Sequence, residues 1–315
     1  MHPHLHARRA RPLRQGDQQD PHPRGEDRVM RADLHLHSLC SDGKYTPAAV
    51  AAKCKEAGLS LFSLTDHDSM EGVPEALSAA KELGISCVPG WEVSAYEDVK
   101  VHVLGYGCAR EEAYFRFLQE RKESALVRAE DMIGKGNESL GLSVSLKDAL
   151  ALRARPDAPL HTMHVVRAFA RALGAVEGDA YREMAGKLYL ELFDRGKPAY
   201  SGLGRPSPED AIEVIHASGG IAVLAHPGRI RLENAEKCAL LDRLVRAGLD
   251  GIECVYTTHT EEETQAFCSY AREHGLLVSG GSDFHMEDGI HAVGRPVFEP
   301  DGALQEALRP GGVEL

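Results

Sequence analysis

Short apolar runs recur along this chain, and most of them close on histidine, aspartate or glutamate just before a helical pattern begins. The runs at 59–64, 85–88, 221–225, 251–255 and 276–278 are too short for buried helices and rich in Leu, Ile and Val, so they read as buried strands. Between them lie helical stretches with recognisable starts and stops. Thr46-Pro47 and Ser207-Pro208 place a capping hydroxyl before a proline at the first helical position. Gly58, Gly84 and Gly219-Gly220 end the helices expected at 48–57, 73–83 and 208–218. Further helices are expected at 235–247 and 261–274, then a last strand near 292–298 and a short C-terminal helix. Strand then helix, repeated about seven times with polar groups gathered at the strands' C-terminal ends, is the layout of a (β/α) barrel with its site on that face. The main alternative is a doubly wound open sheet. No Gly-x-Gly-x-x-Gly or phosphate-binding loop sits at a strand–helix junction, which lowers the nucleotide-fold version of that alternative.

One stretch breaks the rhythm. Residues 107–205 are rich in Glu, Arg, Ala and Leu at helical spacing, with helices expected at 111–132, 146–154, 164–173 and 179–193. They read as a helical insertion domain between barrel segments 30–106 and 206–315. Residues 1–29, polar and rich in Arg and His, read as a disordered leader, with Met30 a sensible start.

The 315 residues carry a net charge of −12. Residues 1–30 hold six Arg against four Asp/Glu, so the body carries about −14. Long nucleic acid is bound mostly through Lys/Arg on phosphates, and a body this acidic argues against stable binding of that kind. A small anion can still bind where metals or a local Arg cluster reverse the field. The seven cysteines are scattered, with no Cys-x-x-Cys, as expected of reduced thiols in a cytoplasmic protein. No apolar run is long enough to cross a bilayer.

The richest strand end is the first. Val29-Met30-Arg31-Ala32 leads into Asp33-Leu34-His35-Leu36-His37, and residues two apart on a strand share a face. Asp33, His35 and His37 therefore point one way. Two buried imidazoles side by side are costly unless something binds them, and a divalent cation is the usual answer. His67 and Glu92 stand just past the second and third strands, His226 and the pair Asp283 and His285 past later ones. His102 lies within an alternating strand and Asp42 in the loop after the first. His216 and His274 fall on helices and are left out. Nine such groups exceed what one four-coordinate ion takes, whereas two or three ions bridged by a carboxylate would use them all.

These motifs resemble the PHP family, named for polymerase and histidinol phosphatase. The matching segments are Asp33-Leu34-His35-Leu36-His37-Ser38 with Ser41-Asp42-Gly43, Thr65-Asp66-His67-Asp68, Pro89-Gly90-Trp91-Glu92-Val93-Ser94, His102, Leu224-Ala225-His226-Pro227-Gly228-Arg229 and Gly281-Ser282-Asp283-Phe284-His285. The resemblance spans roughly residues 30–299. It implies a distorted (β/α)7 TIM-like barrel with a trinuclear centre. His35, His37, Glu92 and Asp283 would hold one ion, Glu92, His102 and His226 a second with Glu92 bridging, and Asp42, His67 and His285 a third. Manganese is the first expectation for the metal, with iron and zinc also fitting such donors. Within the family the chain is similar to the stand-alone enzymes acting on nucleoside 3′,5′-bisphosphates and on the 5′ ends of short RNA. That subgroup often has Arg-Pro-His at a helix start where this chain reads Thr162-Met163-His164.

The expected reaction is hydrolysis of a phosphomonoester by hydroxide generated between the metals. Arg229 and Arg128 are the candidates for gripping phosphate, and His259, in the loop after the 251–255 strand, for protonating the leaving alcohol. Asp33, Asp66 and Asp68 are expected to orient imidazoles. Rival readings are an RNA 5′-end exonuclease, a histidinol-phosphate phosphatase, a C–N amidohydrolase and a metal- or nucleic-acid-binding module without activity.

Overall fold

A computed structural model describes residues 30–97, 99–153, 160–176 and 178–309. The expected leader 1–29 lies outside the described residues. Seven strands form one sheet in sequence order: β1 Ala32–Leu36, β2 Leu61–Leu64, β3 Ser86–Glu97, β4 Val99–Tyr106, β5 Ile221–Leu224, β6 Gly251–Tyr256 and β7 Leu277–Gly281. The sheet curls until its ends meet. The Asp283 N–H donates to the His35 carbonyl and the His37 N–H to the Phe284 carbonyl, each at 2.9 Å, so the segment after β7 zips onto the end of β1. The result is a nearly closed seven-stranded barrel.

Helices alternate with the parallel strands: α1 Pro47–Glu56 follows β1, α2 Val73–Leu83 follows β2, α7 Pro208–Ala217 precedes β5, α8 Asn234–Arg246 follows β5 and α9 Glu261–Glu273 follows β6. The local signals explain where they begin. Thr46 caps α1 by accepting from Ala49 N–H at 3.2 Å, and Ser207 with Asp210 closes a reciprocal cap on α7. Leu34 and Leu36 of β1 are fully buried opposite the histidines, Leu34 in the apolar cluster of Leu61, Val88, Leu104 and Val223.

Three expectations need correcting. β3 and β4 form an antiparallel hairpin without an intervening helix, and β4 also runs antiparallel to β5. β3 also runs on past its expected end, so Glu92 lies within it and not just beyond it, while His102 sits mid-strand in β4, opposite Ser94, as its alternating run predicts. The segment 292–298 is no strand. Pro296 removes a donor there, and the segment touches the sheet at the Phe298 carbonyl, which accepts from Ala32 N–H at 2.9 Å. A short helix, α10 Gly302–Ala307, follows.

Between β4 and α7 stand α3 Glu112–Leu140, α4 Leu146–Leu150, α5 Thr162–Ala172, α6 Asp179–Leu188 and a π-helical turn Tyr189–Phe193. They share an apolar cluster of their own, including Met132, Val165, Phe169 and Phe193. The long α3 belongs to both parts. Tyr114 and Phe117 in its first half pack with Trp91 and Val103 in the barrel cluster, while Ala129, Met132 and Ile133 pack among the helices.

Candidate metal centre

The structure brings the nine sequence-picked groups to one place at the barrel mouth, and Glu92 is at their middle. Its Oε1 lies 2.6 Å from His102 Nδ1 and 3.1 Å from His226 Nε2. Its Oε2 lies 2.8 Å from His67 Nδ1 and 3.4 Å from Nε2 of both His35 and His37. Asp283 Oδ1 stands 3.5 Å and 3.2 Å from the same two histidine nitrogens. Donor atoms bound tetrahedrally at about 2.1 Å from one ion lie roughly 3.4 Å apart. The separations among His35, His37, Glu92 and Asp283 match that spacing and are mostly too long for good hydrogen bonds.

Three overlapping sets of donors emerge: His35, His37, Glu92 and Asp283; His67, Glu92 and His102; His37, Asp42, His67 and His285. His226 adjoins the second, its Nε2 3.3 Å from His102 Nδ1. The grouping differs from the expected sets in two respects: His67 and His37 each face two sets, and His226 stands beside the second set and not in it. Asp42 is the most exposed member, its Oδ1 3.1 Å from His285 Nε2.

The chemistry of the donors fits a cation. Nε2 of His35, both nitrogens of His37, Nδ1 of His67, Oε2 of Glu92, Nε2 of His102 and Nδ1 of His226 are buried without hydrogen-bond partners. Each such atom costs free energy unless something satisfies it, and a divalent ion would satisfy many of them at once. Backbone strain clusters here too. Asp68, His226 and Asp283 have φ values of 49°, 28° and 55°, the described non-glycine residues in the left-handed region.

The electrostatics are polarised. Burial disfavours the charged form of His35, but the carboxylates of Glu253, Glu92 and Asp283 outweigh it and hold the imidazole well above its ordinary value. Burial works against His67 as well, and Glu92 with Asp42 raises it to about 9. In His37 and His102 burial prevails, pulling them down to about 4 and about 3. Burial opposes the charge of Glu92, yet His102, His67 and His35 hold it well below the usual carboxylate range.

The surrounding aspartates do other work than orienting imidazoles. Asp33 accepts from Ser282 N–H at 2.9 Å, Ser282 Oγ at 2.6 Å and Gly294 N–H at 2.8 Å, which pins the segment bearing Asp283. Asp66 accepts from Ser38 N–H and Ser41 Oγ, each at 2.6 Å, and so shapes the loop bearing Asp42. Asp68 accepts from Ser94 N–H at 2.9 Å and from Arg121 at 2.7 Å. None of the three touches a ring nitrogen. The residue that does is Glu253, which the sequence reading missed. Its signal was there: one carboxylate inside the apolar run Gly251-Ile252-Glu253-Cys254-Val255. Tyr256 was missed as well. Its hydroxyl donates to Asp283 Oδ2 at 2.8 Å.

Arg229 reaches the mouth, where its Nη1 donates to Asp283 Oδ2 and Tyr256 Oη, each at 2.9 Å, with half its side chain exposed. Arg128, on α3, donates to the Leu203 carbonyl at 3.0 Å. His259 is placed differently from expectation. Nδ1 donates to the Cys254 carbonyl at 2.9 Å and Nε2 accepts from Gly228 N–H at 3.1 Å. Both nitrogens are occupied by backbone, so the ring fixes the loop after His226 and has no nitrogen left for a leaving group.

The chain matches the family model described as PHP domain over residues 33–166. It is 35% identical over 296 residues to a 3′,5′-nucleoside bisphosphate phosphatase of Chromobacterium violaceum, covering 90% of this chain and 99% of that one. It is 30% identical over 277 residues to a 5′-3′ exoribonuclease of Haemophilus influenzae, covering 88% and 97%. Among solved structures it is similar to a chain from Bifidobacterium adolescentis described as a metal-dependent phosphoesterase, with TM-score 0.66, 27% identity, and coverage of 90% and 97%.

Proposed function

The chain belongs to the PHP family of metal-dependent phosphoesterases, and from that premise we propose that it hydrolyses a phosphomonoester of a small nucleotide of the nucleoside 3′,5′-bisphosphate type. The observation that carries this is the set of buried, unpartnered donors converging on Glu92, in a chain similar along nearly its whole length to a phosphatase of that name.

Two or three divalent ions, manganese foremost, would be held by His35, His37, Glu92 and Asp283, by Glu92, His102 and His226 with His67, and by Asp42, His67 and His285. Bound there, they supply Lewis-acid activation of water and neutralise charge on the phosphoryl oxygens. The protein's part is orientation. Glu92 divides its two oxygens between donor sets. Arg229 and Tyr256 hold Oδ2 of Asp283, which leaves Oδ1 aimed at His35 and His37. The exposed part of the Arg229 guanidinium has N–H groups to spare for a phosphoryl oxygen. Arg128 is the candidate for contacting substrate from the helical insertion, 107–205. The free cysteines suit a cytoplasmic working place.

The similarity to an exoribonuclease supports a second reading, removal of nucleotides from the 5′ end of short RNA. Phosphate release with added manganese decides between them. The panel is a nucleoside 3′,5′-bisphosphate, mononucleotides, short 5′-phosphorylated RNA, histidinol phosphate and simple amides. Preferred turnover of the bisphosphate supports the first reading, and turnover of amides alone would overturn both.

A further inference from the structure

The hairpin of β3 and β4 outgrows the barrel. The register of β3 with β2 runs to Pro89, and that of β4 with β5 begins at Val103. Residues 94–97 and 99–101 therefore rise beyond the rim, paired with each other alone among the described strands. Two contacts brace them: the Ser94 N–H donates to Asp68 Oδ1 at 2.9 Å, and the Tyr96 N–H to the Pro206 carbonyl at 2.8 Å. Directly opposed residues of an antiparallel pair share a face. One face carries Trp91, Val93 and Ala95 with Val101 and Val103, all buried in the apolar cluster shared with α7 and α8. The other carries Glu92, Ser94 and Tyr96 with Lys100 and His102. This is the face of the metal donors. Lys100 stands on it one step above His102, exposed where His102 is buried.

The Lys100 ammonium acts on two of those donors. Burial is the main force against the charged forms of His67 and His102, and the charge of Lys100 adds to it at both rings. Lys100 thus lies within electrostatic reach of the set formed by His67, Glu92 and His102. No carboxylate among the described residues pairs with it. An ammonium is here presented to a place whose donors call for divalent ions, and cations brought together repel unless an anion joins them. Lysine suits that duty, as a compact point charge that binds phosphate. Arg229 attaches through Asp283 to the set of His35, His37, Glu92 and Asp283. Lys100 supplies a cation beside the neighbouring set.

We propose that Lys100 binds substrate, its ammonium holding a non-bridging oxygen of the phosphoryl group that is cleaved. This rests on the phosphomonoester reading above and is indifferent to which nucleotide carries the ester. The test measures binding of inorganic phosphate to the manganese-loaded protein by calorimetry, for the wild type, Lys100→Gln and Lys100→Arg. Alongside it run kcat and KM for a nucleoside 3′,5′-bisphosphate and for p-nitrophenyl phosphate, and manganese content per chain. Lys100→Gln should bind phosphate about tenfold more weakly, the scale of one lost charged hydrogen bond. Its kcat/KM should fall alike on both esters, because both bring the same group to the ions. Lys100→Arg should restore much of each loss. Manganese content and melting temperature should stay at the wild-type level, since the side chain is exposed. Unchanged phosphate affinity in Lys100→Gln would overturn the assignment, as would a wild type that binds no phosphate. A loss that follows missing manganese, or that Lys100→Arg leaves unrepaired, would overturn it too. A loss confined to the bisphosphate would place Lys100 on another part of the substrate and refute the contact. If the wild type turns over p-nitrophenyl phosphate and no nucleotide while phosphate affinity still depends on Lys100, the nucleotide reading fails and the contact stands.

Discussion

Glu253 places Oε1 2.9 Å from Nδ1 of His35, with both side chains fully buried, and its other oxygen accepts the backbone N–H of His226 at 2.7 Å. One carboxylate from β6 thus fixes a ring on β1 and the strained backbone turn after β5. With Nδ1 of His35 held as the donor, Nε2 is the nitrogen presented to Glu92 and Asp283. Replacing Glu253 with Gln should weaken metal affinity by about 10- to 100-fold, the usual effect of losing the partner of a ligating imidazole. Titrating manganese into the variant while following activity checks this. Full recovery at saturating metal is expected, and a loss that metal cannot repair would contradict it.

Glu92→Gln removes the shared charge at the middle of the donor sets. Phosphate release should fall by roughly 100-fold or more, with the circular dichroism spectrum kept. Metal content per chain, measured on the same sample, should drop by more than one ion. Full activity would refute the bridging role.

Stability of the metal-free protein should peak near pH 6.5. His67 is raised to about 9, so its contribution is fully present below its unfolded value and is lost as pH climbs through 9. His37 and His102 are lowered to about 4 and about 3. Their contribution is present above the unfolded value and fades as pH falls toward those numbers. Thermal melting across pH 4–10 with chelator should trace a maximum, and added manganese should remove the alkaline decline because the ion replaces the proton. A chelated protein whose melting point rises steadily to pH 9 would contradict the assignment.

His259→Ala should cost about 1–2 kcal/mol through two lost hydrogen bonds to backbone, seen as a lower melting temperature. The alkaline limb of its kcat profile should stay where it is in the wild type. A shift of that limb would restore the ring as a proton donor.

Gly281→Ala tests how tightly β7 closes on β1. A Cβ at Gly281 would lie 2.4 Å from Cβ and 2.6 Å from N of His35. Backbone must move to admit it, at about 1–3 kcal/mol, and His35 moves with it. Chemical denaturation should reveal the cost, and manganese affinity should fall in the same variant.

The parts of this molecule that local rules govern were open to reading from the chain. Alternation puts His35 and His37 on one side and Leu34 and Leu36 on the other, and the helix caps at Thr46 and Ser207 fall where the hydroxyls and prolines stand. What escaped is tertiary. Nothing in 99–106 distinguishes a strand running up from one running down, so the antiparallel hairpin stayed hidden. His259 looked free because the carbonyl of Cys254 and the amide of Gly228, which occupy it, come from folding of the loops. Asp33, Asp66 and Asp68 flank ligating-type residues in the chain, yet their oxygens turn toward backbone and hydroxyl donors of other segments.

Because α3 passes without interruption from the barrel cluster into the helical one, it acts as a pair of calipers. One arm is clamped by Tyr114 and Phe117, the other by Met132 and Ile133, and Arg121 and Arg128 are marks along the beam, roughly 10 Å apart at the rise of an α-helix. The spacing of these two arginines from each other is then fixed by the helix itself, and any hinge between barrel and helical insertion would have to bend α3.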